Sequence, residues 1–307
     1  IRQYIIPSGE FKFSLGYKDL RGDKARENKV RELAQGEIER VFDLEEGPLL
    51  RANLIQMEDD KWVFTYVMHH IISDGSSMEV LIRDLLIFYN SHLNGVSSPL
   101  DPLRIQYKDY SVWQQDQLRG ENLEKHRGYW LNQFEGEVPV LELSTDHVRP
   151  AVKTYNGGVV SRYLSGDLSR SLNAVCRQEG CTLFMGVLSA VNALLYKYSH
   201  QSDLIIGSPI AGREHVDLED QIGFYVNTLA LRTRFSGEDS YRSLLAKVKQ
   251  VTLGGYEHQV YPFDELVDEL KLSRDMSRSA LFDVMVVFQN AASSGQGEEE
   301  LSDLKVS

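Results

Sequence analysis

The chain has 307 residues, 42% hydrophobic and 25% charged, a balance that suits one large globular domain or two lobes of about 150 residues each. Thirty-three basic against 45 acidic residues leave a net charge of −12, which disfavours nucleic acid and anionic membrane as partners, since both need basic patches. Cys176 and Cys181 form no C-x-x-C pair and keep no histidine spacing suited to zinc, so they read as reduced thiols in a cytoplasmic protein.

The first residue is Ile1, from which an excised piece of something longer is expected, and "IRQYIIPSGEFKF" lacks the apolar run of a signal peptide. "KWVFTYVMHH" reads as a strand buried on both faces. "SSMEVLIRDLLIFYNSHLNG" follows with Leu81, Leu85, Phe88 and Tyr89 at helical spacing. Ser76 with Glu79 suggests a capping box, and Gly95 suits the helix stop. A second amphipathic stretch runs from about Tyr107 to Phe134, with Tyr110 and Trp113 expected in the core. "STDHVRPAVKTYNGG" then loses periodicity, and residues 148–157 are taken as a crossing between an N-terminal lobe, 1–147, and a C-terminal lobe, 158–307.

The second half starts over with the strand-like "VVSRYL" and helices over about 167–179 and 182–198. "LFMGVLSAVNALLY" within the second helix is too short to span a bilayer and reads as buried. "DLIIGSPI" and "FYVNTLALRT" read as strands, "SYRSLLAKVKQVTLGGY" as a helix and "LFDVMVVFQN" as a closing strand. The polar, acidic tail after it is expected to be mobile. Helices and strands mix in both halves, so the fold class is α/β with two lobes.

One stretch carries chemistry. In "YVMHHIISDGSSMEVL", two histidines, an aspartate and a glycine sit between a strand and a helix N-terminus, where side chains are held yet face solvent or a cavity. A histidine there can serve as a general base near neutral pH. Strand alternation would point His69 and His70 to opposite faces, leaving one for the cavity. Asp74 is placed to orient an imidazole or to be tied to an arginine, and Gly75 to admit backbone geometry or a substrate approach that a Cβ would block. Two histidines at a strand end also occur without function. No third ligand supports a metal, and no G-x-S-x-G elbow supports a serine hydrolase.

"MHHIISDG" resembles the H-H-x-x-x-D-G signature of condensation domains from nonribosomal peptide synthetases, a signature shared with chloramphenicol acetyltransferase. Four further stretches resemble that family's boxes in the family's order: "YKDYSVWQ" (107–114), "IGFYVNTLALR" (222–232), "HQVYPFDELVDEL" (258–270) and "RDMSRSALFDVMVVFQN" (274–290). Ala280 stands where proline is usual, and the family's first two boxes are absent.

The resemblance implies a two-lobed chloramphenicol acetyltransferase-like fold with mixed sheets and flanking helices, arranged as a V with the histidine motif at the junction. It implies an acyltransferase forming an amide between an upstream acyl or peptidyl thioester and a downstream aminoacyl thioester. Both would be delivered on phosphopantetheine by peptidyl carrier domains, with an adenylation domain adjacent and no permanent cofactor or metal. His70 matches the active-site position. His69, Asp74, Gly75 and Arg278 would support it, Arg278 as one arginine available to Asp74. Ser76, Tyr225 and Asn227 would line the substrate channel, with a β-strand role for Asn227 equally open. An epimerisation domain, a free-standing acyltransferase using a small thioester and a non-catalytic carrier-binding module are the alternatives. "GFYVNT" and "HQVYPFDEL" favour condensation over epimerisation, and the intact 69–75 motif favours catalysis over mere binding.

Overall fold

The computed structural model describes residues 3–7, 9–97, 99–272 and 275–289. The expected mobile tail and Arg274 lie outside the described residues. Packing divides the chain into two units. Unit 1 takes residues 1–103 and 220–225; unit 2 takes 104–219 and 226–307.

Unit 1 holds a three-stranded sheet in the order β1 (Gly16–Asp19), β2 (Leu50–Gln56), β3 (Trp62–Met68), with β1 parallel and β3 antiparallel to β2. Helix α1 spans Arg26–Glu39 and α2 spans Gly75–Leu93. Ile55 and Met57 are buried to 1% exposure, and Ala52 and Val80 are buried as well. The 61–70 strand exists but is not buried on both faces. Trp62 and Phe64, on one face of β3, are 43% and 40% exposed, so that face is half open. The α2 cap also differs from expectation: Asp74, not Ser76, is the N-cap, in a box with Ser77, while Gly95 stops the helix at φ +67° as expected.

Unit 2 carries the large core. Its helices are α3 (Tyr107–Gln117), α4 (Gly120–Gln133), α5 (Gly166–Gln178), α6 (Leu183–Ser199), α7 (Tyr241–Glu257) and α8 (Phe263–Leu270). They surround an antiparallel pair, β4 (Asp203–Ile210) and β5 (Asn227–Arg234). The 107–134 stretch breaks in two at Gly120, whose φ of +57° lies in the left-handed region that favours glycine. On α3, Tyr110 is buried but Trp113 is 47% exposed, so only the first is a core residue.

The expected closing strand is reduced to one parallel bridge, Gly207 with Met285, made by Gly207 N–H to the Val284 carbonyl and Val286 N–H to the Gly207 carbonyl, each 2.9 Å. "VVSRYL" forms no strand. Val159, Val160 and Tyr163 are 93%, 81% and 99% exposed, so β propensity there meets no pairing neighbour among the described residues. No single helix among the described residues is long and apolar enough to cross a membrane.

Helices α3 and α4, read on the N-terminal side of a crossing at 148–157, pack in unit 2, and one side chain shows why. Arg232 on β5, with its side chain 3% exposed, meets Asp203 on β4 twice, at 2.9 and 2.7 Å. It also donates to the Glu137 carbonyl at 2.6 Å and reaches the carbonyls of Gln133, the last residue of α4, and of Glu135 just past it. Trp130 and Phe134 of the same segment, 3% and 2% exposed, bury against β4, β5 and α7. Replacing Arg232 with methionine strands those acceptors. We expect a loss of about 3 kcal/mol in urea unfolding, well above the range of an exposed ion pair.

A second, partly buried contact is titratable. His126 Nδ1 of α4 lies 3.0 Å from His258 Nδ1 at the end of α7, and the Tyr129 ring stacks on His258 at 4.2 Å. Burial lowers the pKa of both imidazoles below the ordinary 6.5; Lys125 adds to it for His126, while Glu214 and Glu257 pull the other way. The unfolded chain therefore binds more protons, so stability is full above the unfolded value and is lost as pH falls through the lowered folded values. Urea midpoints should drop between about pH 7.5 and about pH 5.5, and His126→Gln should flatten that part of the dependence. Identical slopes in both proteins would contradict this account.

Candidate active site

The histidine motif lies wholly in unit 1, and its local structure follows from where β3 stops. Met68 is the last strand residue. His69 N–H still reaches the Leu49 carbonyl at 2.9 Å, and the chain then tightens into one 3-10 turn over His70–Ile72. Strand alternation therefore does not govern the two histidines; the turn does.

His69 is half-buried, and its Nδ1 accepts the Ile71 N–H at 3.0 Å. A nitrogen that accepts carries no proton, so the geometry assigns His69 the neutral tautomer with its proton on Nε2. The Phe42 ring meets it edge to face at 5.8 Å. His70 is exposed, and the Phe224 ring stands against it at 5.4 Å and 77°.

Asp74 is 5% exposed and caps α2. Its Oδ1 accepts the Ser77 N–H at 2.9 Å and the Ser77 hydroxyl at 2.7 Å, and its Oδ2 accepts the Tyr225 N–H at 3.0 Å. Ser77 is fully buried, and its Oγ meets both the Gly223 carbonyl at 2.9 Å and the Gly223 N–H at 3.1 Å. These bonds tie residues 223–225 to the first turn of α2. A carboxylate at a helix N-terminus is favourably placed, and its bonds offset part of the cost of burying charge.

The remaining predicted residues fall as follows. Gly75 opens α2 with ordinary backbone, and a Cβ there would meet nothing within 4 Å, so the turn itself does not require glycine. Ser76 is half-buried on the same turn. Tyr225, expected on the channel, is 3% exposed with its hydroxyl bonded to Gln221 Oε1; Phe224 is the ring that meets His70. Asn227 in unit 2 donates to the Gln259 and Tyr261 carbonyls, both at 2.8 Å, and accepts from the Thr228 and Phe263 amides at 2.8 and 3.2 Å. That uses both donors and both lone pairs of the amide, and makes Asn227 a staple between β5 and the turn before α8. Arg278 is taken up in unit 2 by Asp283 at 2.5 Å, Glu142 at 3.0 Å and the Leu141 carbonyl at 2.9 Å. Among the described residues, no group of three or more His, Cys, Asp or Glu is placed to hold a metal ion.

Sequence reasoning missed Ser77 and Gly223. A serine three residues after an aspartate, at the head of an apolar helix, was the available signal for Ser77. The partnership with Gly223 spans 146 residues and has no local signature.

Chemically, the arrangement offers one accessible imidazole on a turn fixed at both ends. His69 is occupied in holding the turn, and Asp74 in holding the helix that follows. Such an imidazole can accept a proton or a hydrogen bond from a nucleophile.

The condensation-domain family model matches residues 1–307, and the chain belongs to that family. It is 44% identical over 290 residues to a linear gramicidin synthase of Brevibacillus parabrevis, covering 94% of this chain and 6% of the synthase polypeptide. It is 47% identical over 251 residues to a plipastatin synthase of Bacillus subtilis (strain 168), covering 82% of this chain and 7% of that polypeptide. The chain thus spans a small part of the length of these curated relatives. The fold matches the X-domain from teicoplanin biosynthesis with a TM-score of 0.78 at 24% identity, over 92% of this chain and 62% of the other. It also matches the first condensation domain of the calcium-dependent antibiotic synthetase, with a TM-score of 0.67 at 20% identity, over 85% and 57%. The α/β chloramphenicol acetyltransferase-like class is thereby established.

Ser77→Ala removes the hydroxyl shared by Asp74 and Gly223 and leaves buried partners short. We expect a destabilisation of about 1–3 kcal/mol in urea unfolding. A neutral result would show that the cap does not depend on that hydroxyl.

Proposed function

We propose that this chain forms amide bonds between two thioesters, each carried on the phosphopantetheine arm of a peptidyl carrier domain. The observation that carries the reading is the exposed His70 imidazole on a turn held by His69 and Asp74, in a chain of the condensation-domain family. The downstream amine attacks the upstream thioester carbonyl, so a C–N bond forms. The C–S bond then breaks and the upstream carrier's thiol leaves. His70 takes a proton from the attacking nitrogen, or holds that nitrogen by a hydrogen bond as the tetrahedral species forms.

A positioned base supplies roughly 10²–10⁴-fold, whereas orientation of two bound reactants supplies effective molarities up to about 10⁵ M or more. Thioesters are already activated and amines already nucleophilic, so orientation carries the larger share. The simple "HHIISDG" lacks the aspartates of heterocyclising members, which favours plain amide formation. The partners are an upstream and a downstream carrier domain, with an adenylation domain adjacent and the cytoplasm as the setting. Gly75 and Ser76, on the turn after the histidines, keep the approach for the pantetheine arm open.

Single-turnover transfer between loaded donor and acceptor carriers, followed by intact mass, tests this. Dipeptide on the downstream carrier is expected, slowed about 10²–10⁴-fold by His70→Ala. A changed Cα configuration on the carrier without dipeptide would assign epimerisation instead. Carrier docking without either product would leave a binding module.

A further inference from the structure

Behind His69, away from the exposed face of the turn, the side chains form a stack that the proposed chemistry does not use. Arg51 of β2 has a side chain only 14% exposed, and its guanidinium lies 3.7 Å from the centre of the Phe42 ring. Phe42 in turn meets His69 edge to face at 5.8 Å. Arg51 is fixed from behind as well. Its Nε donates to Glu37 Oε2 at 2.9 Å, and one terminal nitrogen donates to the Glu37 carbonyl at 2.9 Å and the Arg40 carbonyl at 2.7 Å. These are carbonyls at the end of α1, which lack helical partners and favour a cation. The planar guanidinium is thus clamped before it stacks, and a clamped cation over a ring face holds the ring as well.

The backbone makes the stack continuous. Arg51 pairs with Val67 across β2 and β3, and the Leu49 carbonyl takes the His69 N–H two residues further along. Arg51 and His69 are therefore diagonal neighbours on adjacent strands, with Phe42 laid between their side chains. His69 can hold the Ile71 N–H only while its ring keeps Nδ1 turned inward, and Phe42 is the described ring that packs against it.

We propose that Arg51, acting through Phe42, is a positioning residue for the turn that presents His70, holding His69 in the one orientation and tautomer that accepts the Ile71 N–H. The inference rests on the reading of His70 as the reacting imidazole. Neither Arg51 nor Phe42 touches substrate in this scheme. A misplacement of about 1 Å in a reacting group costs on the order of 10²-fold, so a loosened turn reads out in turnover rather than in carrier affinity.

The test combines Phe42→Leu, which keeps apolar volume and removes the ring, with Phe42→Tyr, which restores it. Long-range 1H–15N spectra of the imidazoles report the His69 tautomer, and single-turnover transfer between loaded carriers reports rate and half-saturating carrier concentration. Phe42→Leu is expected to give a mixed His69 tautomer and roughly ten- to hundredfold slower transfer at saturating carrier, with half-saturation unchanged. Phe42→Tyr should restore both signals. A single His69 tautomer and wild-type rate in Phe42→Leu would overturn the proposal, as would a slowed variant whose tautomer stays pure. Should Phe42→Leu fail to fold, Arg51→Lys serves, since it keeps the charge and loses the clamped plane. A mixed tautomer with slowed transfer then supports the proposal, and unchanged signals overturn it. Wild-type protein that transfers nothing, while Phe42→Leu still mixes the His69 tautomer, would sink the condensation reading and leave the brace standing.

Discussion

The Asp74 carboxylate is the interaction on which the site depends, because its two oxygens serve two different parts of the chain. Oδ1 closes the first turn of α2, and Oδ2 holds the Tyr225 amide. Tyr225 follows Phe224, the ring that meets His70, so the carboxylate that starts the helix also places that aromatic neighbour. A buried carboxylate is costly unless its lone pairs are filled, and Ser77 and Tyr225 supply three short bonds here. The burial of Ser77 beneath the cap keeps water from competing for them.

Around this cap the motif divides its labour. His69 spends its Nδ1 on the turn, Asp74 spends its charge on the helix and the 223–225 segment, and His70 is left exposed. The transfer proposed for this chain, between two large carrier-bound reactants that bring their own reactivity, needs a rigid support and an accessible imidazole. The same economy appears in unit 2, where Asn227 exhausts its amide on four backbone groups and Arg232 gathers the end of α4 onto the β4–β5 pair. Asn227, for which a channel role and a strand role were equally open, has both amide donors and both lone pairs taken by backbone groups.

Much of the fold was legible in the sequence. The strand at Asp203–Ile210, the helix over about 182–198 and the glycine stop of α2 were legible, because each depends on local chemistry. The misreadings share a cause. "VVSRYL" has strand propensity but no neighbour to pair with, and Trp62 and Phe64 look like core residues although β3 leaves them half open. Whether a strand is buried depends on what lies beside it, which no window of sequence contains.

For the site, the place of the 69–75 motif between β3 and α2 was legible because it is local, whereas the strand alternation expected for His69 and His70 gives way to a 3-10 turn. The roles of Ser77, Gly223 and Phe224 were not, since they arise from contacts across roughly 150 residues, the scale of one lobe in a chain of this size. Tyr225 and Phe224 show the limit clearly: alternation says that one ring faces in and the other out, and only the Asp74 bond to the Tyr225 amide decides which.

Amide hydrogen exchange at Tyr225 tests this account most directly. If the Asp74 cap holds the 223–225 segment, the Tyr225 N–H should exchange as slowly as the amides in the first hydrogen-bonded turns of α2, and should lose that protection together with the Ser77 N–H in Asp74→Asn. Exchange at Tyr225 as fast as in an exposed loop would mean that the carboxylate caps the helix without placing Phe224, and the support described for His70 would be wrong.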